Sequence, residues 1–289
     1  MVTKVKTGIV FEGGAFRTIF SCGVMDALVE NDIMPDYMIG VSAGAAYGVS
    51  MASKQPRRNL DVLMKYRNDK RYLGLSNMID KDNKSIYGLE FSYETIPNEL
   101  NLFDYDAFKQ YKGDFYCVVT NLLTGQPEYM KYTGDDRTNT VLKATCALPM
   151  LFPPIIINDV PYMDGGLSDS IPYLKAIEDG CDRIIVVLTR QSGYTKTTSR
   201  STKAIAYSYR NQYPKLTETM LTRASRYNES LKGLDQYVKE GRIITIQPTT
   251  SNGFSRLEKD KNKILSMYND GYNQCYELLD TIKEFYEIK

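Results

Sequence analysis

Three features of the sequence predict an α/β fold built on a largely parallel sheet. Apolar runs of strand length alternate with helix-spaced segments from the start. Two of the early strand-to-helix junctions carry glycine-bearing turns, and 289 residues at 43% hydrophobic content supply a continuous core. The elements follow in order. Gly8 to Phe11 reads as the first strand, Glu12-Gly13-Gly14-Ala15-Phe16-Arg17 as a loop, and about Thr18 to Glu30 as a helix. Tyr37 to Val41 reads as the second strand, followed by Ser42 and a small-residue helix, AGAAYGVSMAS. Residues 71–112 are polar, tyrosine-containing and weakly periodic, so they read as an insertion or cap over the sheet. Phe115 to Thr120, Arg183 to Thr189 and Arg242 to Gln247 are further strands, β-branched and bounded by turn residues. Helices are expected over Arg137 to Cys146, Tyr173 to Glu178 and much of Thr202 to Val238, with residues 192–203 as a mobile surface loop. Residues 250–289 show helical spacing of Leu, Ile, Tyr and Phe, and read as a closing helical elaboration of one domain spanning 1–289.

Composition removes several function classes. Thirty-six Lys and Arg nearly balance 35 Asp and Glu, so no broad field draws the chain to nucleic acid or anionic lipid. Any partner is then found by shape or by a local patch. The amino-terminal run MVTKVKTGIVFEGG lacks the apolar region and small-residue cleavage site of a secretory leader, and no apolar stretch reaches the length of a membrane span. The expectation is a cytoplasmic protein with peripheral membrane contact at most. Cys22, Cys117, Cys146, Cys181 and Cys275 are odd in number, scattered and free of CxxC spacing, which reads as buried free thiols. The chain has no histidine, which excludes a Ser-His-Asp triad, a Cys-His pair and HExxH zinc chemistry at once.

Three segments carry the remaining chemistry. Gly40-Val41-Ser42-Ala43-Gly44 fits GxSxG between an apolar strand and a small-residue helix, the setting of a nucleophile elbow. The loop Gly13-Gly14-Ala15 offers backbone N–H groups to an anion, and it lacks the lysine and Ser/Thr of a phosphate-binding P-loop. Asp164-Gly165-Gly166 puts an aspartate at the end of a short apolar strand, a pattern that a plain turn also produces. Without histidine, a nucleophilic serine needs another base, and a carboxylate is the simplest one remaining.

In this order the three segments resemble the patatin-like phospholipase family: a glycine-rich oxyanion loop, a GxSxG serine and an Asp-Gly-Gly aspartate. The proline-bearing stretch from Ala144 to Pro154 looks like the family's, and the resemblance covers roughly residues 7–190. The run around Arg256 to Tyr272 looks like the tail of a bacterial subgroup. The resemblance implies a three-layer α/β/α fold and a serine acyl hydrolase acting on phospholipid or lysophospholipid esters without metal or organic cofactor. It makes Ser42 the nucleophile and Asp164 the base, gives the oxyanion hole to the N–H groups of Gly13, Gly14 and Ala15, and lets Arg17 hold that loop in shape. Gly40, Gly44, Gly165 and Gly166 are the elbow and dyad glycines. Ala15 and Thr18 stand where the family usually has glycine, and a positive φ at Ala15 would strain the loop. Tyr72, Leu75, Ile79, Tyr87, Phe91 and Tyr93 of the cap are candidates to line an acyl groove. A small-ester or thioester hydrolase, or a non-catalytic binding protein that keeps the fold, are the alternatives.

Overall fold

The computed structural model describes residues 4–288 of the chain; Met1 to Thr3 of the amino-terminal run, and Lys289, lie outside the described residues. Among the described residues one sheet is built from β1 (Thr7–Phe11), β2 (Tyr37–Val41), β3 (Asp114–Asn121), β4 (Pro127–Lys131), β5 (Ile155–Ile157), β6 (Val160–Asp164), β7 (Arg183–Val187) and β8 (Ile243–Ile246). Its order is β5-β6-β3-β2-β1-β7-β8, with β4 also paired to β3. The centre is parallel: β1 pairs with β2 and β7, β2 with β3, and β7 with β8. These strands read as unbroken apolar runs because both faces are covered; every residue of β1 and β2 is buried. The β3–β4, β3–β6 and β5–β6 pairs are antiparallel and extend one side.

The helices are α1 (Ile19–Glu30), α2 (Ala43–Ala52), α3 (Arg58–Tyr66), α4 (Ser76–Ile79), α5 (Tyr105–Gln110), α6 (Thr140–Cys146), α7 (Tyr173–Glu178), α8 (Arg200–Ser208), α9 (Pro214–Lys239), α10 (Lys261–Glu277) and α11 (Leu279–Phe285). Alternate strand residues separate the two faces. Ile9, Phe11, Ile185 and Val187 pack under α1, α2, α3, α10 and α11, whereas Val10, Ile39, Val41, Ile184 and Val186 pack under α7 and α9. The expected three layers are therefore present. α1 is buried from Ile19 to Val29, being enclosed between the sheet and α10. Gly23 and Gly271 allow that approach, since a Cβ at Gly23 would collide with the Tyr268 carbonyl and one at Gly271 with the Phe20 carbonyl.

Residues 71–112 form a cap of short pieces: α4, a π-helical stretch Phe91–Leu100 and α5, tied by a bridge between Leu73 and Tyr87. Several boundaries differ from the sequence reading for local reasons. α6 starts at Thr140 because the Asp136 carboxylate accepts the N–H groups of both Thr138 and Thr140, each at 2.8 Å, closing a turn ahead of the helix. The segment 192–203 is not loop throughout: α8 begins at Arg200, and the Asn228 side chain bonds both backbone groups of Lys196, at 2.9 and 3.0 Å. β4 reads PEYMK and is half exposed, so it carries no continuous apolar run to announce it.

Candidate active site

Ser42 joins the end of β2 to the start of α2 with φ 55° and ψ −129°, a backbone that L-residues rarely adopt. Ser42 is half-buried on this strand-to-helix turn, the setting of a nucleophile elbow. Glycine permits the turn: a Cβ at Gly40 would sit 2.5 Å from the Ala45 backbone, and one at Gly44 would collide with the Phe11 carbonyl. The Ser42 N–H donates to Thr145 Oγ1 at 2.9 Å, and that hydroxyl donates to the Val118 carbonyl at 2.6 Å. Thr145, in the Ala144–Pro154 stretch, thus holds the elbow to the sheet, a role that its residue type does not announce.

Sheet register explains how Asp164 crosses 122 residues of chain to reach this point. Val118 pairs with Val41 on one edge and Tyr129 on the other, while Val119 pairs with Asp164 and Glu128. β4 therefore occupies one edge of β3, and β2 and β6 follow each other along the opposite edge. Their facing ends are Val41, which leads into Ser42, and Asp164. The Asp164 side chain is 2% exposed and accepts the Gly166 N–H at 2.8 Å. Burial raises its pKa; the Ser42 hydroxyl, Arg223, the Gly166 N–H and Arg256 all favour the charged form against that trend. Gly165 lies against the Val118 carbonyl, where a Cβ has no room.

Gly13 is in contact with the nucleophile: a Cβ there would lie 2.7 Å from the Val41 carbonyl and 2.8 Å from Ser42 Cβ. Among the described residues the N–H groups of Gly13, Gly14 and Ala15 meet no protein acceptor. Ala15 does take a positive φ, of 50°. The loop is tied by Glu12, whose carboxylate accepts the Thr189 N–H at 2.6 Å, the Thr189 hydroxyl at 3.0 Å and the Tyr227 hydroxyl at 2.9 Å. It is also tied by the Phe16 N–H, which donates to the Arg256 carbonyl at 3.0 Å. Arg17 is only 6% exposed, yet its Nε has no partner among the described residues. Among the described residues its side chain makes no hydrogen bond to the loop, and it lines the polar cleft that also holds Ser42.

Two cavities meet at Ser42. One, of about 210 Å³, runs beneath the cap and is walled by apolar and aromatic groups including Phe16, Val62, Tyr72, Tyr87, Tyr93 and Leu142. Tyr72, Tyr87 and Tyr93 thus line it as expected; Phe91 packs edge-on to Tyr66, and Leu75 and Ile79 are 75% and 85% exposed on the surface. Cys146 also lines this cavity, and burial pushes its thiol up to about 12, which keeps it protonated and a poor rival nucleophile. The other cavity, of about 50 Å³, is polar: it holds Asp164 and the glycine loop together with Arg17, Lys196, Arg223 and Arg256. The last three come from segments far apart in sequence, and only the fold gathers them. No helix among the described residues is long and apolar enough to cross a membrane.

Comparison with known proteins shows that residues 9–177 match the patatin-like phospholipase family, and that residues 213–287 match a domain of unknown function (DUF6363). An uncharacterized protein, YjjU of Escherichia coli, is 27% identical over 196 residues, covering 64% of this chain and 52% of its own. The lysophospholipase nte1 of Aspergillus terreus is 29% identical over 193 residues, covering 63% of this chain and 12% of its own. The chain thus spans about half of the first relative and about an eighth of the second. The crystal structure of VipD from Legionella pneumophila aligns with a TM-score of 0.48 at 16% identity, over 96% of this chain and 67% of that one.

Proposed function

The chain belongs to the patatin-like phospholipase family, and on that premise we propose that it is a serine acyl hydrolase cleaving fatty-acyl esters of phospholipids or lysophospholipids through a Ser42–Asp164 dyad. The observation that carries the reading is the position of Ser42, on a strained elbow beside a buried carboxylate, where an apolar cavity opens into a polar cleft. The acyl chain lies in the apolar cavity, so that the ester carbonyl reaches the elbow. Asp164 accepts the Ser42 proton as the hydroxyl attacks, and the N–H groups of Gly13, Gly14 and Ala15 hold the tetrahedral oxyanion. The proton then passes to the departing alkoxide, leaving an acyl-Ser42 ester. Water attacks that ester with Asp164 again as base, releasing the fatty acid. Burial of Asp164 supports the assignment, because a raised carboxyl pKa makes a better base than an ordinary aspartate.

The chain acts as one catalytic unit in this reading, with α10 packed on α1 and Arg256 at the mouth of the site. A fluorophosphonate probe tests it directly. Wild type is expected to label at Ser42, and Ser42→Ala not at all. A protein that folds normally but does not label would shift the reading to a non-catalytic binding role.

A further inference from the structure

The polar cleft contains more positive charge than the reaction needs. Arg17, Lys196, Arg223 and Arg256 line it against two carboxylates, Glu12 and Asp164. Glu12 is already bonded to Thr189 and Tyr227, and Asp164 to the Gly166 N–H. Among the described residues none of the four cations lies in an ion pair with a carboxylate. The Nε atoms of Arg17 and Arg223 are buried without a hydrogen-bond partner, an arrangement that is costly unless something completes it. The Lys196 ammonium is fixed 3.6 Å from the centre of the Tyr227 ring. Burial, with Arg223 next in effect, lowers its pKa to about 7, and Arg17 and Arg256 add to the repulsion while Glu12 opposes it.

We propose that Arg17, Lys196, Arg223 and Arg256 form a subsite for a phosphate group carried by the substrate beside its scissile ester. The inference rests on the acyl hydrolase reading of Ser42 and assigns the residues that recognise the phosphate of its substrate. With Lys196 protonated, the state that a bound anion favours, four cations against two engaged carboxylates leave an excess of two positive charges, which matches a phosphate monoester, and guanidinium forks fit phosphate oxygens. A cleft of about 50 Å³ has room for a group of a few heavy atoms, not for a second acyl chain. Arg223 also adjoins the dyad: a Cβ at Gly166 would lie 3.2 Å from its guanidinium and 3.1 Å from the Asp164 carboxylate. Arg223 and Arg256 come from the region matched by the domain of unknown function, which therefore supplies half of the subsite.

The test compares lysophosphatidic acid with the monoacylglycerol of the same chain, as substrates for the full chain and as ligands for its Ser42→Ala variant. The proposal expects wild type to favour the phosphate ester by at least tenfold in kcat/KM, mainly through KM. Lys196→Gln should reduce that ratio about tenfold and Lys196→Arg should restore it, with melting temperature confirming that each variant folds. Ser42→Ala should bind lysophosphatidic acid at least tenfold more tightly than monoacylglycerol. Inorganic phosphate distinguishes the source of the anion: competition with lysophosphatidic acid that is lost in Lys196→Gln supports a headgroup site. A Lys196-dependent change in monoacylglycerol turnover, with no preference between the lipids, would assign the same phosphate chemistry to free phosphate. Equal binding of both lipids by Ser42→Ala, with no Lys196-dependent phosphate effect, overturns the proposal even if both are hydrolysed. Preferential binding without hydrolysis would keep the subsite and remove the acyl hydrolase reading.

Discussion

At the scale of single residues, the site depends on how closely the backbone approaches the nucleophile. Gly13 has no space for a methyl group because Ser42 Cβ and the Val41 carbonyl already occupy it. Gly13→Ala must displace either the loop or the serine. Displacements near 1 Å at a reacting group lower rates by about a hundredfold, so kcat should fall by roughly that factor, with KM less affected. Steady-state kinetics on a short acyl ester would show it, and a variant with wild-type kcat would refute the contact. Ala15 is different: a lone alanine at φ 50° costs about 1–2 kcal/mol, and its N–H still meets no protein acceptor. Ala15 thus carries as strain a conformation that glycine takes freely, whereas Thr18, at φ −64°, stands where no glycine is required. GxSxG and Asp-Gly-Gly were legible because each needs particular residues at fixed spacing. Thr145, Glu12 and Lys196 were not, since a threonine, a glutamate and a lysine look the same in sequence whether or not they face the site.

At the scale of elements, legibility followed burial. β1, β2 and β7 are covered on both faces and therefore announce themselves as apolar runs, whereas β4, PEYMK, is half exposed and leaves no such trace, and β5 is an apolar run of three isoleucines, too short to stand out as a strand. The antiparallel β6 mattered most, because its end sets Asp164 beside Ser42, and only the pairing with β3 reveals that. The crossing of α1 and α10 brings helix backbones into contact and depends on Gly23 and Gly271. Gly23→Ala should therefore destabilise the protein despite the better helix propensity of alanine, by about 1–3 kcal/mol from overpacking. Urea unfolding would measure it; a stabilised variant would mean that the two helices do not cross in backbone contact. Asp26 sits at the same interface, accepting the Tyr268 hydroxyl at 2.7 Å and the Arg57 N–H at 2.8 Å. Burial holds its carboxyl up to about 6, with Glu30 also raising it and the two hydrogen bonds and Arg57 opposing. The folded state thus binds this proton more tightly than the unfolded chain, whose aspartate titrates near pH 3.9. The stability gained is complete below that value and is lost as pH rises through about 6. Asp26→Asn stays neutral and keeps an acceptor, so its melting temperature should gain on wild type between about pH 4 and pH 7. A constant difference across that range would contradict a raised Asp26.

At the scale of the whole molecule, the two family matches meet at one cleft. Residues 9–177 carry the elbow, the loop and the aspartate, and residues 213–287 carry Arg223 and Arg256 to the same place. The near-neutral composition, with 36 basic and 35 acidic residues, hides this concentration of charge completely. A local patch is compatible with that balance, but its members are spread from Arg17 to Arg256 and become a patch only when α9 and the segment before α10 fold over the glycine loop. The most direct measurement is fatty-acid release from phospholipid, lysophospholipid and short ester substrates by wild type, Ser42→Ala and Asp164→Asn. Wild type should release fatty acid, Ser42→Ala should be inactive, and Asp164→Asn should lose about a hundredfold to ten-thousandfold in kcat while remaining folded. Equal release by wild type and either variant would contradict the dyad.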